Sequence, residues 1–223
     1  MKLHEYPDRE MLFLGLADQM ASDLADGLRR RDRAALAVPG GTSPGPVFDT
    51  LRGVALDWDR VDVVLTDERW VPEDDPRSNT RLVRERLLRD KAAAARLVPI
   101  HADTPTPEEA IPALEGAVRA MMPLDCLLLG MGEDMHTASL FTGGDKLDLA
   151  LSPTAPALVA MRAPGVEEPR VTLTLPVLKS AFASHLLILG DAKREALERA
   201  QGMLPEDAPI AALLGDLVVH WAR

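Results

Sequence analysis

Three short segments of the sequence place anion-binding or proton-transferring residues directly after an apolar run. The first is "PGGTSP", residues 39–44, in which two glycines precede two hydroxyl residues. Gly40 and Gly41 would let the backbone approach an anion, and the amides and hydroxyls of Thr42 and Ser43 could then donate to it. The alternative is a tight turn without a ligand, because the segment has neither the Gly-Lys-Ser/Thr of a P-loop nor the GxGxxG of a dinucleotide site.

The second segment is "TDERWV", in which three charged residues follow the apolar run at 61–65. Arg69 could pair with a phosphate or an oxyanion. Asp67 could hold a sugar hydroxyl or orient a base. The alternative is a solvated turn in which the neighbouring acids neutralise Arg69.

The third segment is "LLLGMGEDMHTASLF", residues 127–141. We expect a helix to begin at Thr137, which would place His136 near the positive end of the helix dipole and keep its ring neutral. A neutral imidazole is the form that a general base needs. Asp134 is close enough to orient the ring or to bind a substrate. The alternative is a histidine that caps its own turn.

Two further cations stand at the edges of predicted elements. Arg170 directly precedes the alternating strand "RVTLTL", and Lys193 lies in the first turn of the helix "AKREALERAQ", for which Asp191 is the expected cap. A cation in the first turn of a helix is unfavourable, so Lys193 is a candidate ligand for an anion.

The remaining histidines and the only cysteine are predicted to carry no chemistry. Cys126 lies in "LDCLLLG", where a buried apolar thiol is expected, and a single cysteine allows no internal disulfide. No histidine pair has metal-ligand spacing, so we predict no metal. The histidines concerned are His4, His101, His185 and His220.

Strands alternate with helices along nearly the whole chain, which predicts an α/β fold with a mostly parallel sheet covered on both faces. Ligands of such sheets bind beyond the carboxyl ends of the strands. We predict one domain over residues 1–223. Strands are expected at 34–38, 61–65, 96–100, 124–130, 155–161, 170–175, 184–189 and 218–222, and helices at 8–31, 46–52, 78–90, 106–121 and 192–201. The site-forming loops would be 39–45, 66–72, 130–137 and 190–193.

Composition limits the classes of function. The formal net charge of -10 argues against a nucleic-acid partner, although local basic groups can still bind a small anion. The start of the chain lacks the apolar core of a signal peptide, and no apolar run approaches the ~20 residues of a membrane span. We therefore predict a cytoplasmic protein with a small-molecule substrate, acting as a monomer or weak homodimer.

Taken together, five segments resemble the glucosamine-6-phosphate isomerase/6-phosphogluconolactonase superfamily. They are "PGGTSP", "TDERWVPEDDPRSN", "LLLGMGEDMHTASLF", "RVTLTLPVL" and "LGDAKREAL", and they follow the family's order over residues 38 to 200. The second and third resemble its lactonase branch. The resemblance implies a Rossmann-like domain of the NagB/RpiA/CoA-transferase-like class. It also implies hydrolysis of 6-phospho-D-glucono-1,5-lactone in the pentose phosphate pathway, without a metal or organic cofactor.

The resemblance also implies roles for individual residues. His136 matches the catalytic histidine. The "GGTS" segment with Lys193 matches the phosphate site, and Arg69 and Arg170 match arginines that line the pocket. Met135 replaces the family's usual glycine, where a positive φ would cost a methionine about 1 kcal/mol or more.

Two alternatives remain open at this point. The deaminase branch has a carboxylate five residues after the histidine, where this chain has Phe141, but Asp67 matches that branch's proton-abstracting aspartate. A sugar-phosphate sensor would need an additional DNA-binding segment, for which the residues before the strand at 34–38 leave no room.

Overall fold

A wholly parallel sheet of seven strands runs through the centre of the molecule. The structure is a computed structural model that describes residues 1–223. The seven strands stand in the order β1-β10-β9-β6-β2-β3-β5 and confirm the predicted α/β class. The strands of the molecule are β1 (Lys2–Glu5), β2 (Ala34–Val38), β3 (Val61–Leu65), β4 (Asp67–Arg69), β5 (Arg96–Val98), β6 (Cys126–Gly130), β7 (Leu158–Met161), β8 (Arg170–Leu173), β9 (Ala183–Leu189) and β10 (Val218–Ala222).

The sheet's inner strands are apolar because both of their faces are covered. Every residue of β2 and β3 is buried, and all of them are apolar except Asp62, whose carboxylate accepts hydrogen bonds from Arg33 and Arg96. The predicted bounds of β2, β3 and β10 are confirmed, whereas β5 and β6 are shorter than predicted. The edge strand β1 was not predicted, because four largely exposed residues carry no apolar signal.

A second, three-stranded sheet is antiparallel and has the order β4-β8-β7. The sequence predicted the strands β7 and β8 but not their separation from the parallel sheet, and it predicted β4 as a turn. The strand β4 is too short to show a period. It becomes a strand because β8 pairs with it, which sets Asp67 opposite Thr172 and Arg69 opposite Arg170.

The helices lie where the period of apolar residues predicts them. The long N-terminal helix, the helix after β2 and the helices after residues 78, 106 and 190 are confirmed within a few residues, except that the third ends at Arg86. The helices of the molecule are α1 (Arg9–Arg30), α2 (Gly45–Leu51), α3 (Asn79–Arg86), α4 (Pro107–Met121), α5 (Leu147–Leu151), α6 (Leu175–Leu178) and α7 (Asp191–Ala200), and the short helices α5 and α6 were not predicted. None of these helices is both long and apolar enough to cross a membrane.

One predicted helix cap is wrong. Thr106 takes the cap position of α4, and its hydroxyl donates to the Glu109 carboxylate at 2.9 Å. Asp191 is the first residue of α7 and not its cap, because Gly190, with φ of 82°, takes the cap position. The Asp191 carboxylate instead accepts a hydrogen bond from Arg223.

The buried carboxylate of Glu68 joins β4 to the start of α3. Because side chains alternate along a strand, the Glu68 side chain points to the opposite side of β4 from Asp67 and Arg69. Only 1% of the surface of Glu68 is exposed. The helix dipole favours an anion at the N-terminus of α3, and the anion accepts hydrogen bonds from backbone amides that have no partner within the helix. Its two oxygens accept five hydrogen bonds, from the amides of Arg69, Asn79 and Thr80 and the hydroxyls of Ser78 and Thr80.

A second buried network links α1 to the strands β9 and β10. Tyr6 Oη lies 2.9 Å from His220 Nδ1, His220 Nε2 lies 3.0 Å from His185 Nδ1, and His185 Nε2 lies 2.7 Å from Asp23 Oδ2. An ionised Asp23 can only accept, so with both rings neutral every bond in the chain donates toward Asp23. The two histidines predicted to be inert are therefore structural.

Cys126 is fully buried, as predicted, and burial raises the pKa of its thiol well above the usual range. Its sulfur lies in one cluster with Asp23 and His185, whose ligand atoms are all within 4.8 Å of one another. No spacing of these three residues in the chain indicates that they converge. His185 Nε2 is already hydrogen-bonded to Asp23, so a metal could be held there only if that bond were broken.

We predict that Glu68→Gln destabilises the protein by roughly 3 kcal/mol or more, because an amide cannot accept all five bonds and hydrogen bonds to a charged group contribute about 1.5–3 kcal/mol each. Urea unfolding at pH 7.5 measures this. Glu73→Gln is the matched control, since the Glu73 side chain is 51% exposed and pairs only with Arg84 on the surface. Equal stabilities of the two variants would contradict the capping role of Glu68.

We also predict that His220 makes a pH-dependent contribution to the free energy of unfolding. Burial, aided by His185 and His4, lowers the pKa of His220 to about 3, whereas the ordinary value is 6.5. Between these values the unfolded chain binds a proton that the folded chain does not, so stability is lost as the pH falls below about 6.5.

When the pH falls from 7 to 5, the free energy of unfolding of the natural protein should decrease. The decrease in His220→Gln should be smaller by about 2 kcal/mol. Urea unfolding at both pH values measures the two losses. Identical losses would show that His220 does not resist protonation in the folded state.

Candidate active site

A cleft of about 600 Å³ opens at the carboxyl ends of the parallel strands. In the sheet, β3 and β5 lie on one side of β2, and β6 and β9 lie on its other side. Strand order thus reverses between β2 and β6, and the loops after these strands diverge there to form a crevice. The four loops predicted from the sequence all contribute to this cleft.

The structure brings nearly all the predicted site residues to this cleft. Asp134 is the exception, because it lies behind His136 and does not line the cleft itself. The predicted residues that line it are Gly40, Gly41, Thr42, Ser43, Asp67, Arg69, His136, Arg170 and Lys193.

His136 is held by Asp134 and presents a free ring nitrogen. His136 Nδ1 lies 2.5 Å from Asp134 Oδ1, and the His136 amide approaches the same oxygen at 3.3 Å. An ionised carboxylate only accepts, so Nδ1 carries the hydrogen in the neutral ring and Nε2 keeps its lone pair. Nε2 has no hydrogen-bond partner, and the side chain is 32% exposed. The ring is therefore arranged to accept a proton.

The predicted helix at Thr137 does not form, so the helix-dipole argument for a neutral His136 is wrong. Residues 137 and 140 form an isolated antiparallel bridge, and Ala138 has a φ of 48°. The apolar residues of this segment reach the core through a turn, which their spacing alone does not distinguish from a helix. The tautomer is set by Asp134 instead.

Met135 adopts a positive φ, at 67°, so the backbone conformation that favours glycine is present here. The turn is closed by hydrogen bonds between Gly132 and the backbone of His136 and Met135, each of 3.0 Å. The Met135 carbonyl accepts from the Ile210 amide at 3.2 Å, and its side chain packs on the core. These contacts offset a strain of about 1 kcal/mol or more.

Arg69 and Arg170 form a cationic pair on one wall of the cleft. They stand directly opposite each other in the β4–β8 ladder, where like charges are destabilising. Both Nε atoms are buried without a hydrogen-bond partner, and burial lowers the pKa of the Arg170 guanidinium. This pair therefore favours an anion between the two side chains.

The loop after β2 and the start of α7 both line the cleft. Gly41 has a φ of 85°, a conformation that residues with a side chain rarely adopt. Lys193, in the first turn of α7, makes no hydrogen bond or ion pair. A Cβ on Gly40 would overlap the side chain of Asn79, so the loop approaches α3 closely only because Gly40 has none. An unpaired lysine beside this loop fits the predicted phosphate site.

Asp67 is fixed by buried hydroxyls and does not contact His136. Its carboxylate accepts from Thr66 at 3.1 Å and from Ser139 at 2.6 Å, and its carbonyl accepts from Asn79 at 2.9 Å. The sequence left open whether Asp67 or Asp134 is the histidine's partner, and the structure assigns Asp134.

Sequence reasoning missed several residues of the site. Asn79 was given no role in the site, yet it joins the glycine loop to Asp67. Glu168 reaches both arginines from the loop before β8, and Arg77 holds it there. The proximity of Glu168 to Arg170 in the sequence was the only available signal, because the other contacts are long-range.

Comparison with known proteins agrees with this geometry. The family model described as "Glucosamine-6-phosphate isomerases/6-phosphogluconolactonase" matches residues 7–221. A 6-phosphogluconolactonase of Rhizobium meliloti is 41% identical over 99% of this chain and 98% of its own length. The crystal structure of a putative 6-phosphogluconolactonase from Neisseria gonorrhoeae is 34% identical and superposes with a TM-score of 0.92 over 100% of both chains.

The fold extends to the other branch of the family as well. A monomeric glucosamine-6-phosphate deaminase of the NagB superfamily superposes with a TM-score of 0.81 over 100% of this chain and 98% of its own, at 21% identity, which is evidence of a shared fold alone. The model match and the near-complete coverage of the relatives show that this chain belongs to the glucosamine-6-phosphate isomerase/6-phosphogluconolactonase family.

Proposed function

We propose that this protein is a 6-phosphogluconolactonase that hydrolyses 6-phospho-D-glucono-1,5-lactone to 6-phospho-D-gluconate. The observation that carries the proposal is the free Nε2 of His136, oriented by Asp134, in a cleft that also holds an arginine pair and a separate lysine. Relatives at 34–41% identity that bear this name support it. The proposal includes one domain over residues 1–223, the oxidative pentose phosphate pathway, a cytoplasmic location and a monomer or weak homodimer.

Substrate binding uses the two ends of the cleft. Lys193, with the amides and hydroxyls of residues 40–43, would hold the phosphate as a charged and multiply hydrogen-bonded group. The sugar hydroxyls would contact the polar walls. This places the C1 carbonyl between His136 and the pair of Arg69 and Arg170.

His136 then acts as a general base toward water. Nε2 takes a proton from a water molecule while the water oxygen bonds to C1, and the carbonyl π electrons move to the oxygen. The guanidinium groups of Arg69 and Arg170 line the cleft and can stabilise this oxyanion. Asp134 stabilises the imidazolium that forms at His136.

Ring opening completes the reaction. The oxyanion re-forms the carbonyl, the bond between C1 and the ring oxygen breaks, and the ring oxygen takes the proton from His136. The product carboxylic acid ionises near neutral pH, which accounts for the acid released. General-base assistance supplies about 10²–10⁴-fold of the rate.

The deaminase branch is the nearest alternative activity. Phe141 lies against His136, with ring centroids 4.8 Å apart, and it stands at the position of that branch's ring-opening carboxylate. A phenyl ring exchanges no proton. Asp67 accepts from Ser139 and Thr66, which favours a role in orienting the site over one in carbon-to-carbon proton transfer.

A direct assay decides between the activities. Freshly prepared lactone is supplied, and acid release is followed with the uncatalysed rate subtracted. Glucosamine 6-phosphate is supplied separately, and ammonia is measured. We expect rapid turnover of the lactone and no ammonia. Ammonia release would assign the deaminase activity, and binding without turnover of either compound would assign a sensor.

His136→Ala should lower kcat/KM for the lactone by about 10²–10⁴-fold, because the general base is lost. Binding of 6-phosphogluconate and the thermal unfolding midpoint should stay close to those of the natural protein, since the ring is partly exposed. Near-full activity in this variant would remove His136 from the mechanism.

Gly132→Ala should also lower activity, by roughly 10²-fold, because displacement of a catalytic group by ~1 Å has this effect. A Cβ at Gly132 would overlap both the Asp134 carboxylate and the His136 ring. Gly116→Ala in α4 is the matched control, since its Cβ meets no atom within 4 Å. Equal activity of the two variants would show that the pair tolerates displacement.

A further inference from the structure

Glu168 stands at the end of the loop between β7 and β8 with its carboxylate against three arginines. The side chain is 12% exposed. One oxygen, Oε2, accepts a hydrogen bond from Arg77 Nη1 at 3.2 Å. The other oxygen, Oε1, lies 3.6 Å from Arg69 Nε and 3.6 Å from Arg170 Nη2.

These distances separate two effects of Glu168 on the arginine pair. At 3.6 Å the carboxylate is too far from Arg69 Nε and Arg170 Nη2 to form a normal hydrogen bond, so it occupies neither donor. At the same distance, in a buried site, the negative charge still offsets much of the pair's positive charge. The arginines thus keep free donors but carry a reduced net charge.

The proposed substrate and product differ in charge at the group that faces these arginines. The lactone is uncharged at C1, whereas the product carries a carboxylate there. Two arginines without a counter-charge hold a carboxylate strongly, often through two parallel hydrogen bonds. A fixed acidic group beside them repels a second carboxylate, since adjacent like charges are costly.

We propose that Glu168 is a specificity-determining residue that weakens binding of the product's carboxylate and so favours product release. The inference rests on the proposed lactonase function, because it depends on a carboxylate appearing at C1. Glu168 does not exchange protons in this account. It leaves the hydrogen-bond donors of Arg69 and Arg170 available to the transient oxyanion. Its negative charge opposes retention of the product's carboxylate.

Glu167 supplies a matched comparison at the adjacent position. Its side chain is 88% exposed, and its carboxylate lies 3.7 Å from Arg77 and contacts neither Arg69 nor Arg170. Glu167→Gln removes the same charge from the same loop. It should therefore leave carboxylate recognition unchanged.

The test compares two ligands by calorimetric titration. One is 6-phosphogluconate, and the other is glucitol 6-phosphate, which shares the phosphate and hydroxyls but has an alcohol in place of the carboxylate. The ratio of their dissociation constants isolates recognition of the carboxylate. In Glu168→Gln we expect 6-phosphogluconate to bind about tenfold more tightly while glucitol 6-phosphate changes less than about twofold. Glu168→Asp should keep a ratio near that of the natural protein.

The outcomes are distinct. An unchanged ratio in Glu168→Gln, or an equal change in Glu167→Gln, overturns the inference while normal lactone turnover leaves the proposed function standing. Glu168→Ala is the second variant. If both neutral variants fail to bind glucitol 6-phosphate, Glu168 is structural and the inference is wrong. If the natural protein neither hydrolyses the lactone nor binds these ligands, the proposed function fails first.

Discussion

The cleft depends on one buried carboxylate, that of Glu68. It accepts five hydrogen bonds and fixes a three-residue strand against the first turn of α3. Because side chains alternate along a strand, burying Glu68 on one side obliges Asp67 and Arg69 to face the other side, toward the cleft. The same contact holds Asn79 against Gly40, so the glycine loop and the arginine wall share one support.

The site concentrates positive charge in an acidic protein. The chain as a whole carries a formal charge of -10, yet the cleft contains Lys193 and the facing pair of Arg69 and Arg170. Facing arginines lower stability in the absence of a ligand, and Glu168 offsets part of that cost. Positive charge that could serve a ligand therefore lowers the stability of the protein while the cleft is empty.

Backbone strain is concentrated in the same place. Met135 and Ala138 both have positive φ on either side of the segment that presents His136, and neither is a glycine. The turn is retained because its amides and carbonyls are paired and the Met135 side chain packs on the core. The result is a histidine whose position is set by its own turn and by Asp134, and not by a helix.

The sequence by itself determined the parallel sheet, most of its elements and nine residues that line the cleft, because apolar periodicity and Gly-rich strand ends are local signals. Only tertiary structure decided that Asp134 partners His136, that β4 pairs with β8, and that Glu68, Asn79 and Glu168 support the site. Asp134 and His136 are only two residues apart, but the expected helix would not have joined them as the observed turn does, and the β4–β8 and Glu68–Asn79 contacts join separate segments of the chain. The hydrogen-bond partners of a buried carboxylate depend on which segments the fold brings around it, and no local sequence pattern encodes them.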